Sequence, residues 1–379
     1  MISCRDFFTI FKKNGYSFFT GIPDSTFKDF LNYLDDNNGK VLTNIIACNE
    51  CESIALSAGY YLATNKIAVA YMQNSGFGKA VNPLTSLCDY EVYSIPILVL
   101  IGWRGEPGQI DAPQHKKMGR ILLNLLDTLE IPYSVLKPNL KDIKTNIKKA
   151  TDFLNSKKHP YALIIKRNFF QNYNKVNQKE SKKYELSRED AINIIMNNLH
   201  ESDIIVSTTG YTSREVYEYR ENSKKDHFRS FYNIGSMGCA SSIGLGIAVR
   251  KPNKRIIIFD GDGATIMQMG GFSTVGKLNP LNYIHFIFDN HVHETTGCQP
   301  SSSKTINFVD VALANNYNYG KLVSTKKELL DVLKDIKTRN GPIIIVVRVK
   351  IGHRTDLKRP ENEPKYYKEQ LLKFLRESK

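Results

Sequence analysis

Short apolar segments alternate with amphipathic, helix-like stretches along both halves of the chain. In the first half the apolar segments are residues 17–20, 44–46, 67–72, 95–101, 132–135 and 161–165, and in the second half they are residues 204–207, 230–232, 256–259, 283–288 and 343–349. Strands that alternate with helices are typical of parallel sheets whose two faces are covered by helices. The pattern therefore predicts two α/β domains, each with three layers around a parallel sheet.

The segment between the two halves has a different composition. Residues 168–184 are polar and rich in lysine, without an apolar period, which is typical of a linker. We therefore expect a first domain at residues 1–167, this linker, and a second domain at residues 185–379. Within the first domain, the pattern also predicts that Ser25 caps the amphipathic helix that follows it.

Residues 255–296 carry the strongest chemical signal in the chain. One predicted strand ends in Asp260-Gly261-Asp262-Gly263, and after a helical pattern that begins at Thr265 a second predicted strand ends in Asp289-Asn290. In a βαβ unit of this kind the two strands are parallel, and their ends open on the same edge of the sheet. We therefore expect Asp262 and Asn290 to converge at that edge.

These residues suit a hard divalent cation that also binds phosphate. The candidate metal ligands are Asp262, the side chain of Asn290 and the backbone oxygen of Val292, since magnesium completes such a set with phosphate oxygens. The backbone N–H groups of Gly263 and Ala264 lie at a helix start, where a phosphate is favoured. Each motif alone is common in turns, so it is their placement across one βαβ unit that favours a metal–diphosphate site.

Length, charge and cysteine content limit the possible partners. The chain has 379 residues and a net charge of +14, from 52 basic and 38 acidic side chains. No recognised nucleic-acid module accompanies this charge, so we expect solvated surface rather than a nucleic-acid partner, and a basic site would fit an anionic substrate. Six cysteines without regular spacing indicate reduced thiols and a cytoplasmic protein, and neither a signal peptide nor a membrane span is predicted.

Three further motifs have both a chemical and a structural interpretation. Glu50 lies between an apolar strand and a helix of small residues, so we expect a buried carboxyl group with a raised pKa; the alternative is an acid favoured by the helix dipole. Thr209 and Gly210 form either an ordinary capped turn or a second phosphate contact. In Gly235-Ser236-Met237-Gly238, Met237 either fills the core or contacts a ligand.

Several polar side chains follow predicted strands of the first domain, on the edge where α/β sheets bind ligands. They are Asp24, Arg104, Gln114 and His115. A turn-forming Asp, a surface Arg and an exposed His are the ordinary alternatives. Cys48 and Cys51 have the spacing of a redox pair or half a zinc site, but no second pair exists, so we interpret the spacing as coincidence. We interpret His291 and His293 as loop residues rather than metal ligands.

Gly261-Asp262-Gly263 followed by Asp289-Asn290 is similar to the signature of thiamine diphosphate-dependent enzymes, in which two asparagines usually close the motif. Asp289 departs from that pattern, while Asn290 keeps the metal-ligand position. The resemblance implies thiamine diphosphate and Mg²⁺ as cofactors. It implies a pyrimidine-binding first domain and a diphosphate-binding second domain, without the middle domain of larger members. It also implies a homodimer or larger homo-oligomer with active sites between subunits.

The same resemblance assigns roles to individual residues. Asn49-Glu50 followed by Gly59-Tyr60 looks like the motif whose Glu protonates the aminopyrimidine ring, with Cys51 in place of the usual small residue. Met237 matches the bulky apolar residue that bends the cofactor, and the Gly235 carbonyl matches the acceptor of its amino group. The remaining cofactor contacts implied are Thr209, Gly210, Gly261, Gly263, Ala264 and Asn290.

Loop motifs narrow the resemblance to the phosphonopyruvate decarboxylase family, with the sulfopyruvate decarboxylases as close competitors. The motifs lie at residues 21–25, 73–76, 82–84, 102–108, 113–115, 289–290, 293 and 296–299. The implied reaction converts 3-phosphonopyruvate, a small anionic 2-keto acid, to phosphonoacetaldehyde and carbon dioxide. The implied proton-transfer residues are Asp24 and His115. The implied substrate contacts are Arg104, Gln114, His293 and Lys79.

Two alternatives from other functional classes stay open at this stage. A nicotinamide-dependent dehydrogenase would also use an α/β fold, but Gly244-x-Gly246 lacks the third glycine of that fingerprint and does not follow a strand. A non-catalytic, cofactor-binding subunit is disfavoured because both Glu50 and the complete metal motif are present. Within the enzyme class, a sulfopyruvate decarboxylase or another 2-keto acid decarboxylase is the alternative.

Overall fold

The computed structural model describes residues 1–175 and 184–377, which divide into two compact units. The first unit contains the described residues up to 175 together with Thr296–Gln299, a segment that the sequence placed in the second domain. The second unit contains the remaining described residues. Of the predicted linker 168–184, residues 176–183 lie outside the described part, and Phe169 and Phe170 are buried in the first unit's core.

The first unit is built around one six-stranded parallel sheet. Its strands are β1 (Phe18–Gly21), β2 (Thr43–Ile46), β3 (Val69–Gln73), β4 (Leu98–Gly102), β5 (Tyr133–Val135) and β6 (Tyr161–Ile165), in the spatial order β2-β1-β3-β4-β6-β5. Its helices are α1 (Cys4–Lys13), α2 (Lys28–Asn37), α3 (Glu50–Thr64), α4 (Phe77–Ser86), α5 (Pro113–Thr128) and α6 (Leu140–Lys157). Every pairing in this sheet is parallel.

The central strand β4 shows why the sheet has helices on both faces. Leu98 and Leu100 pack into one buried cluster with α1, α2 and α6, whereas Val99 and Ile101 pack into another with α3, α4 and α5. Successive strand residues point to opposite faces, so a strand covered on both sides is a continuous apolar run. Burial of each such side chain contributes about 1.5–3 kcal/mol to folding.

The second unit repeats this architecture with the same strand order in its main sheet. Its strands are β7 (Ile204–Ser207), β8 (Ser230–Tyr232), β9 (Ile256–Gly261), β10 (Tyr283–Asp289), the short β11 (Val292–His293) and β12 (Gln299–Pro300), β13 (Tyr319–Val323) and β14 (Ile343–Arg348). Gln299 of β12 is counted with the first unit. The main sheet is parallel, in the order β13-β14-β10-β9-β7-β8.

Helices again cover both faces of this second sheet. They are α7 (Arg188–Asn198), α8 (Tyr211–Asn222), α9 (Ala240–Arg250), α10 (Asp262–Met267), α11 (Gly271–Leu278), α12 (Phe308–Ala314), α13 (Lys326–Asp335) and α14 (Pro364–Glu377). One buried cluster joins the sheet to α7, α8 and α13, and another joins it to α9, α11 and α12. The two parallel three-layer sheets confirm the predicted fold class.

Each sheet has a point where the chain reverses the direction in which it adds strands. In the first unit this point lies between β1 and β3, and in the second it lies between β7 and β9. Loops on either side of such a point diverge to opposite faces and leave a crevice at the carboxyl ends of the strands, where α/β proteins bind ligands. The two crevices are therefore the places to look for a site in each unit.

The helix predicted from Thr265 differs from the prediction. It is divided into α10 and α11, with a break at residues 268–270. Gly270 and Gly271 occur consecutively at this break, and each glycine costs about 1 kcal/mol in a helix interior relative to alanine. Among the described residues, no helix combines the length and apolar character needed to cross a membrane.

Candidate active site

The crevice of the first unit contains a buried carboxyl group, Asp24. The Gln73 amide at the end of β3 donates a hydrogen bond of 2.5 Å to Asp24 Oδ1, while Oδ2 has no hydrogen-bond partner within residues 1–175 and 184–377. A β-carbon at Gly102 would lie 1.8 Å from Oδ2, so only glycine at the end of β4 leaves room for this carboxyl group. Burial raises the pKa of Asp24, and the hydrogen bond from Gln73 opposes that shift.

Glu50 is the first residue of α3 and is held at the carboxyl end of β2. The Asn49 side chain caps this helix by accepting a hydrogen bond from the Glu52 amide at 3.0 Å. Glu50 is 5% exposed, and its Oε2 lacks a hydrogen-bond partner in the part of the chain that the structure describes. Burial raises the pKa of Glu50, and the positive charge of Lys79 on α4 lowers it in part. The expected buried carboxyl group is therefore present, and Lys79 lies within its electrostatic reach.

The guanidinium of Arg104, which the sequence analysis assigned to substrate binding, also has partners within the first unit. Its Nε and Nη2 donate to the Asp111 carboxylate at 2.8 and 2.6 Å, and Nη1 donates to Ser25 Oγ at 2.8 Å. The predicted helix cap at Ser25 is therefore wrong, because residues 25–27 form a 3₁₀ turn and the Ser25 hydroxyl accepts from Arg104. Burial alone would raise the pKa of Asp111, but hydrogen bonds from Arg104 and two backbone amides hold it well below its usual value.

His115 lies near the start of α5 and is nearly buried. Its Nδ1 is 3.0 Å from the Ser75 hydroxyl, and its Nε2 is 3.5 Å from the Gln114 amide nitrogen. The Ser75 contact brings the loop after β3 together with α5. Asn74 joins the same loop to the end of β4, because its side chain exchanges hydrogen bonds of 2.8 and 3.1 Å with the backbone of Arg104. The loop after β3 thus joins the start of α5, which carries Gln114 and His115, to the loop that carries Arg104.

The crevice of the second unit brings two predicted cofactor segments together. The Gly235 amide donates a hydrogen bond of 3.1 Å to the Thr209 hydroxyl, which joins the turn after β8 to the turn after β7. Gly235 and Gly210 have φ angles of 69° and 96°, a backbone conformation that favours glycine. Met237 is half-buried and lies outside the hydrophobic core clusters of the described residues. This position favours the ligand interpretation of Met237 over the core interpretation.

Asp262 is the first residue of α10 and directly follows β9. The neighbour of β9 in the sheet is β10, which ends at Asp289. The Ser301 hydroxyl donates to Asp262 Oδ2. Burial and the nearby negative charge of Asp289 raise the pKa of Asp262 to about 7, although hydrogen bonds from Ser301 and Ser303 oppose the shift. A β-carbon at Gly263 would lie 2.7 Å from Cε1 of His293, and one at Gly238 would lie 2.8 Å from the carbonyl oxygen of Ala264. The His293 ring and the turn at Gly238 therefore both lie close to the backbone at the start of α10.

Asn290 follows β10 and is 5% exposed. Its Oδ1 accepts from the Val292 amide at 3.1 Å, and its Nδ2 donates to Glu294 Oε2 at 2.9 Å. The preceding Asp289 is completely buried and accepts hydrogen bonds from Ser303 Oγ at 2.7 Å and from Arg348. Arg348 is the register partner of Asp289 on β14. Burial would raise the pKa of Asp289, but contacts with His291 and Arg348 lower it overall.

The residues present fit both a diphosphate-bound cation and an aminopyrimidine ring. Among the described residues, no group of three or more His, Cys, Asp or Glu could hold a metal ion. Asp262, Asn290 and the backbone of Val292 offer the oxygen donors that magnesium prefers when phosphate completes its shell. The unpaired Oε2 of Glu50 fits a ring nitrogen as its missing partner. Cys48 and Cys51 are free thiols, half-buried and exposed respectively.

Sequence reasoning assigned no role to several residues that organise these sites. They are Gln73, Asp111, Glu294, Ser301 and Arg348. Gln73 and Asp111 lie in or next to segments that carried the loop resemblance, and their polar character beside strand ends was the available signal. Arg348 had no comparable signal, because its pairing with Asp289 depends on the register of two strands that are distant in sequence.

Two family models match the chain. The thiamine pyrophosphate enzyme, N-terminal TPP binding domain, matches residues 5–121, and the C-terminal TPP binding domain of the same enzymes matches residues 208–347. The matched ranges contain Glu50 in the first case, and Asp262 and Asn290 in the second. One match therefore lies in each of the two predicted halves.

Named relatives match the chain over almost its whole length. Phosphonopyruvate decarboxylase of Streptomyces hygroscopicus is 30% identical over 379 residues, which cover 96% of this chain and 92% of that protein. The phosphonopyruvate decarboxylase of Streptomyces viridochromogenes is 29% identical over 382 residues with the same coverage. Sulfopyruvate decarboxylase of Methanosarcina acetivorans is 26% identical over 397 residues, which cover 96% of each chain.

Proposed function

We propose that this chain, which belongs to the thiamine diphosphate-dependent decarboxylase family and is a carboxy-lyase, acts on 3-phosphonopyruvate and releases phosphonoacetaldehyde and carbon dioxide. The observation that carries the choice of substrate is the similarity to phosphonopyruvate decarboxylases over 96% of the chain. The geometry supports the reaction class independently, through the buried, unpaired carboxyl oxygen of Glu50 and the oxygen-donor set at Asp262 and Asn290. The dehydrogenase alternative has no such support.

The second unit would hold the diphosphate and its magnesium ion. Asp262, the Asn290 side chain and the Val292 backbone oxygen are the proposed metal ligands. The proposed diphosphate contacts are the turn and helix-start residues Thr209, Gly210, Gly261, Gly263 and Ala264. When bound, thiamine diphosphate supplies a carbanion nucleophile and accepts the electron pair left by carbon dioxide. Met237 and the Gly235 carbonyl are the proposed contacts to the central part of the cofactor.

Glu50 would hold a proton for a ring nitrogen of the cofactor. Its burial raises its pKa, so the carboxyl group keeps its proton at a pH where an exposed glutamate loses it. A protonated carboxyl group donates one hydrogen bond, and the unpaired Oε2 is the atom that can carry this proton. The residue thus combines the protonation state and the free hydrogen-bonding capacity that the role requires.

Asp24 and His115 are the proposed proton-transfer residues for the reacting carbon. The Gln73 amide donates to Asp24 Oδ1, so a proton on Asp24 belongs on Oδ2, which has no partner in the described part of the chain. Burial raises the pKa of Asp24 and so favours this protonated form. His115 is oriented by the Ser75 hydroxyl at its Nδ1, which fixes the direction of Nε2.

The phosphonate of the substrate would be recognised by basic and amide groups of the loops. Arg104 donates through three of its nitrogens to Asp111 and Ser25, and the second hydrogens of Nη1 and Nη2 are left for an anion. Lys79 adds a charge close to Glu50. Gln114 has a buried Oε1 without a partner in the described ranges, and His293 is the proposed contact from the second unit.

A comparison of substrates tests the proposal. Release of carbon dioxide should be measured side by side with 3-phosphonopyruvate, sulfopyruvate and pyruvate, in the presence of thiamine diphosphate and Mg²⁺. We expect phosphonopyruvate to give the highest kcat/KM. Sulfopyruvate is the second candidate, because the Methanosarcina acetivorans enzyme is also similar over nearly the whole chain. Good turnover of sulfopyruvate with none of phosphonopyruvate would replace the main proposal by this one.

We further propose that the protein is a cytoplasmic homodimer or larger homo-oligomer, with Glu50 and Asp262 of each active site supplied by different subunits. The family resemblance supports this arrangement, and mixing of variants tests it. Glu50→Gln and Asp262→Ala proteins are each expected to be inactive. After subunit exchange, mixed dimers would contain one intact site, so part of the activity should return. No recovery despite proven exchange would place both residues of each site in one subunit.

A further inference from the structure

An asparagine that binds a cation must present its oxygen and not its NH₂ group. The two ends of the Asn290 amide have similar size, so the orientation depends on their hydrogen-bond partners. Asn290 Nδ2 lies 2.9 Å from Glu294 Oε2, and Oδ1 accepts the Val292 amide at 3.1 Å. A carboxylate only accepts hydrogen bonds, so the Glu294 contact is compatible with one amide orientation, in which Nδ2 faces Glu294.

Glu294 is itself held from two sides. Arg188 Nη1 donates to Glu294 Oε2 at 2.7 Å, and His353 Nδ1 lies 2.8 Å from Oε1. The Glu294 side chain is 5% exposed and that of Arg188 is 8% exposed, so solvent screens this pair weakly. The His353 ring stacks on Tyr211, with ring centroids 3.6 Å apart. Contacts from α7 and from the segment after β14 therefore fix the carboxylate that faces Asn290.

Arg188 has a second carboxylate partner that does not touch Asn290. Its Nε and Nη2 donate to Glu215 on α8 at 2.7 and 2.8 Å. One buried guanidinium thus faces two buried carboxylates, of which Glu294 alone also contacts Asn290.

We propose that Glu294 is a positioning residue, which orients the Asn290 amide so that its oxygen faces the divalent cation. The proposal rests on the proposed function, which makes Asn290 a metal ligand. Groups that orient metal ligands typically change metal affinity by 10–100-fold when they are removed. Glu215 provides the matched control, because it shares Arg188 with Glu294 and makes no contact with Asn290 among the hydrogen bonds of the described residues.

The first experiment measures Mg²⁺ binding by calorimetry with thiamine diphosphate present, and Mn²⁺ binding by electron paramagnetic resonance. Glu294→Gln should weaken binding of both ions about 10–100-fold. Glu215→Gln should lower metal affinity clearly less than Glu294→Gln does, because its direct effect falls on Arg188 and not on Asn290. Equal losses in the two variants, or unchanged affinity in Glu294→Gln, would overturn the proposal.

The second experiment repeats Glu294→Gln in an Asn290→Asp background. An aspartate at position 290 has two acceptor oxygens and needs no orientation, and it repels the Glu294 carboxylate. Glu294→Gln should therefore leave Mg²⁺ affinity unchanged or increase it in this background. A similar loss in both backgrounds would show a merely structural role. If Asp262→Ala and Asn290→Ala both keep full metal affinity, the proposed metal site itself fails, and the role of Glu294 fails with it.

Discussion

A β-carbon at position 76 would lie 1.8 Å from Oε1 of Glu50, so the two residues fit together only because position 76 is glycine. The atoms that such a β-carbon meets belong to the Glu50 side chain, which can rotate away. Gly76→Ala should therefore fold but displace the carboxyl group. A misplacement of about 1 Å can cost about 10²-fold in rate, so we expect a kcat lower by about that factor in the carbon dioxide assay.

Gly78→Ala is the matched control for this substitution. Gly78 lies in α4, and a β-carbon there meets no atom of the described residues within 4 Å. Alanine is favoured over glycine in a helix by about 1 kcal/mol, so this variant should keep full activity and become slightly more stable. Full activity in Gly76→Ala would show that the position of the Glu50 carboxyl group does not limit the reaction.

Glu50→Gln should separate cofactor binding from turnover. Glutamine keeps the shape of the side chain but has no proton to share, and proton transfer by a positioned group contributes about 10²–10⁴-fold to rate. We expect near-normal binding of thiamine diphosphate in calorimetry together with a loss of kcat of that size. Retained turnover would remove Glu50 from its proposed role.

The same variant should change the pH dependence of stability. Burial raises the pKa of Glu50 above its ordinary value of 4.5, so the folded protein holds a proton that the unfolded chain releases. Below pH 4.5 Glu50 is protonated in both the folded and the unfolded state, so its ionisation does not lower the free energy of unfolding. As pH rises from 4.5 to the folded pKa, the free energy of unfolding of the wild-type protein falls relative to that of Glu50→Gln. Urea unfolding across this range measures the difference.

Asp111→Asn should destabilise the protein by removing the carboxylate that Arg104 faces. Breaking a buried ion pair costs about 3–5 kcal/mol, and we expect the lower end because Arg104 keeps its hydrogen bond to Ser25. The folded pKa of Asp111 is lowered, so the pair's contribution is constant at neutral pH and is lost only as pH falls below about 3.8. Denaturant unfolding at neutral pH measures the change.

Asp152→Asn supplies the comparison for this pair. Its partner Lys148 is 4.0 Å away, and the two side chains are 69% and 71% exposed, so screening leaves less than about 1 kcal/mol to lose.

In the substrate assay, Asp111→Asn should also raise KM for phosphonopyruvate more than for pyruvate, because Arg104 loses its fixed orientation. An equal change in KM for both substrates would argue against a phosphonate contact by Arg104.

Gly263→Ala should weaken cofactor binding, because the added methyl group would collide with the His293 ring. A β-carbon at position 263 would lie 2.7 Å from Cε1 and 2.8 Å from Nδ1 of that ring, so the imidazole or the start of α10 must move. We expect affinity for thiamine diphosphate to fall at least about tenfold in calorimetry, in line with changes around metal ligands. Gly270→Ala, which meets no described atom within 4 Å, should bind the cofactor normally.

The sequence was sufficient for the fold class and for the edge at which the sites lie. Uninterrupted apolar runs such as the one around Val99 indicate strands covered on both faces, and parallel strands bring Asp262 and Asp289-Asn290 to one edge whatever the details of packing. The burial of Glu50 was also predictable, because a strand and a helix of small residues flank it. These predictions depend on periodicity and chain direction, which a sequence displays directly.

Pairing between distant polar side chains could not be predicted in the same way. The pairing of Arg104 with Asp111 was not indicated by the sequence, because it depends on the course of the loop that brings Asp111 back onto the guanidinium. The contact between Gln73 and Asp24 depends on β1 and β3 being neighbours in the sheet, although β2 lies between them in the chain. Such contacts follow from strand order and loop path, which composition and spacing leave undetermined.

Arg348 and Asp289 face each other across neighbouring strands, and this has a consequence for how the chain can evolve. A partly buried guanidinium whose carboxylate is replaced by an amide loses its counterion, and the fully buried carboxylate loses its own when the arginine is replaced. Position 289 therefore cannot change alone to the asparagine that is usual in this signature, and position 348 cannot lose its charge alone. Across relatives, the two positions should be exchanged together: an acid at the first with a base at the second, or two neutral residues.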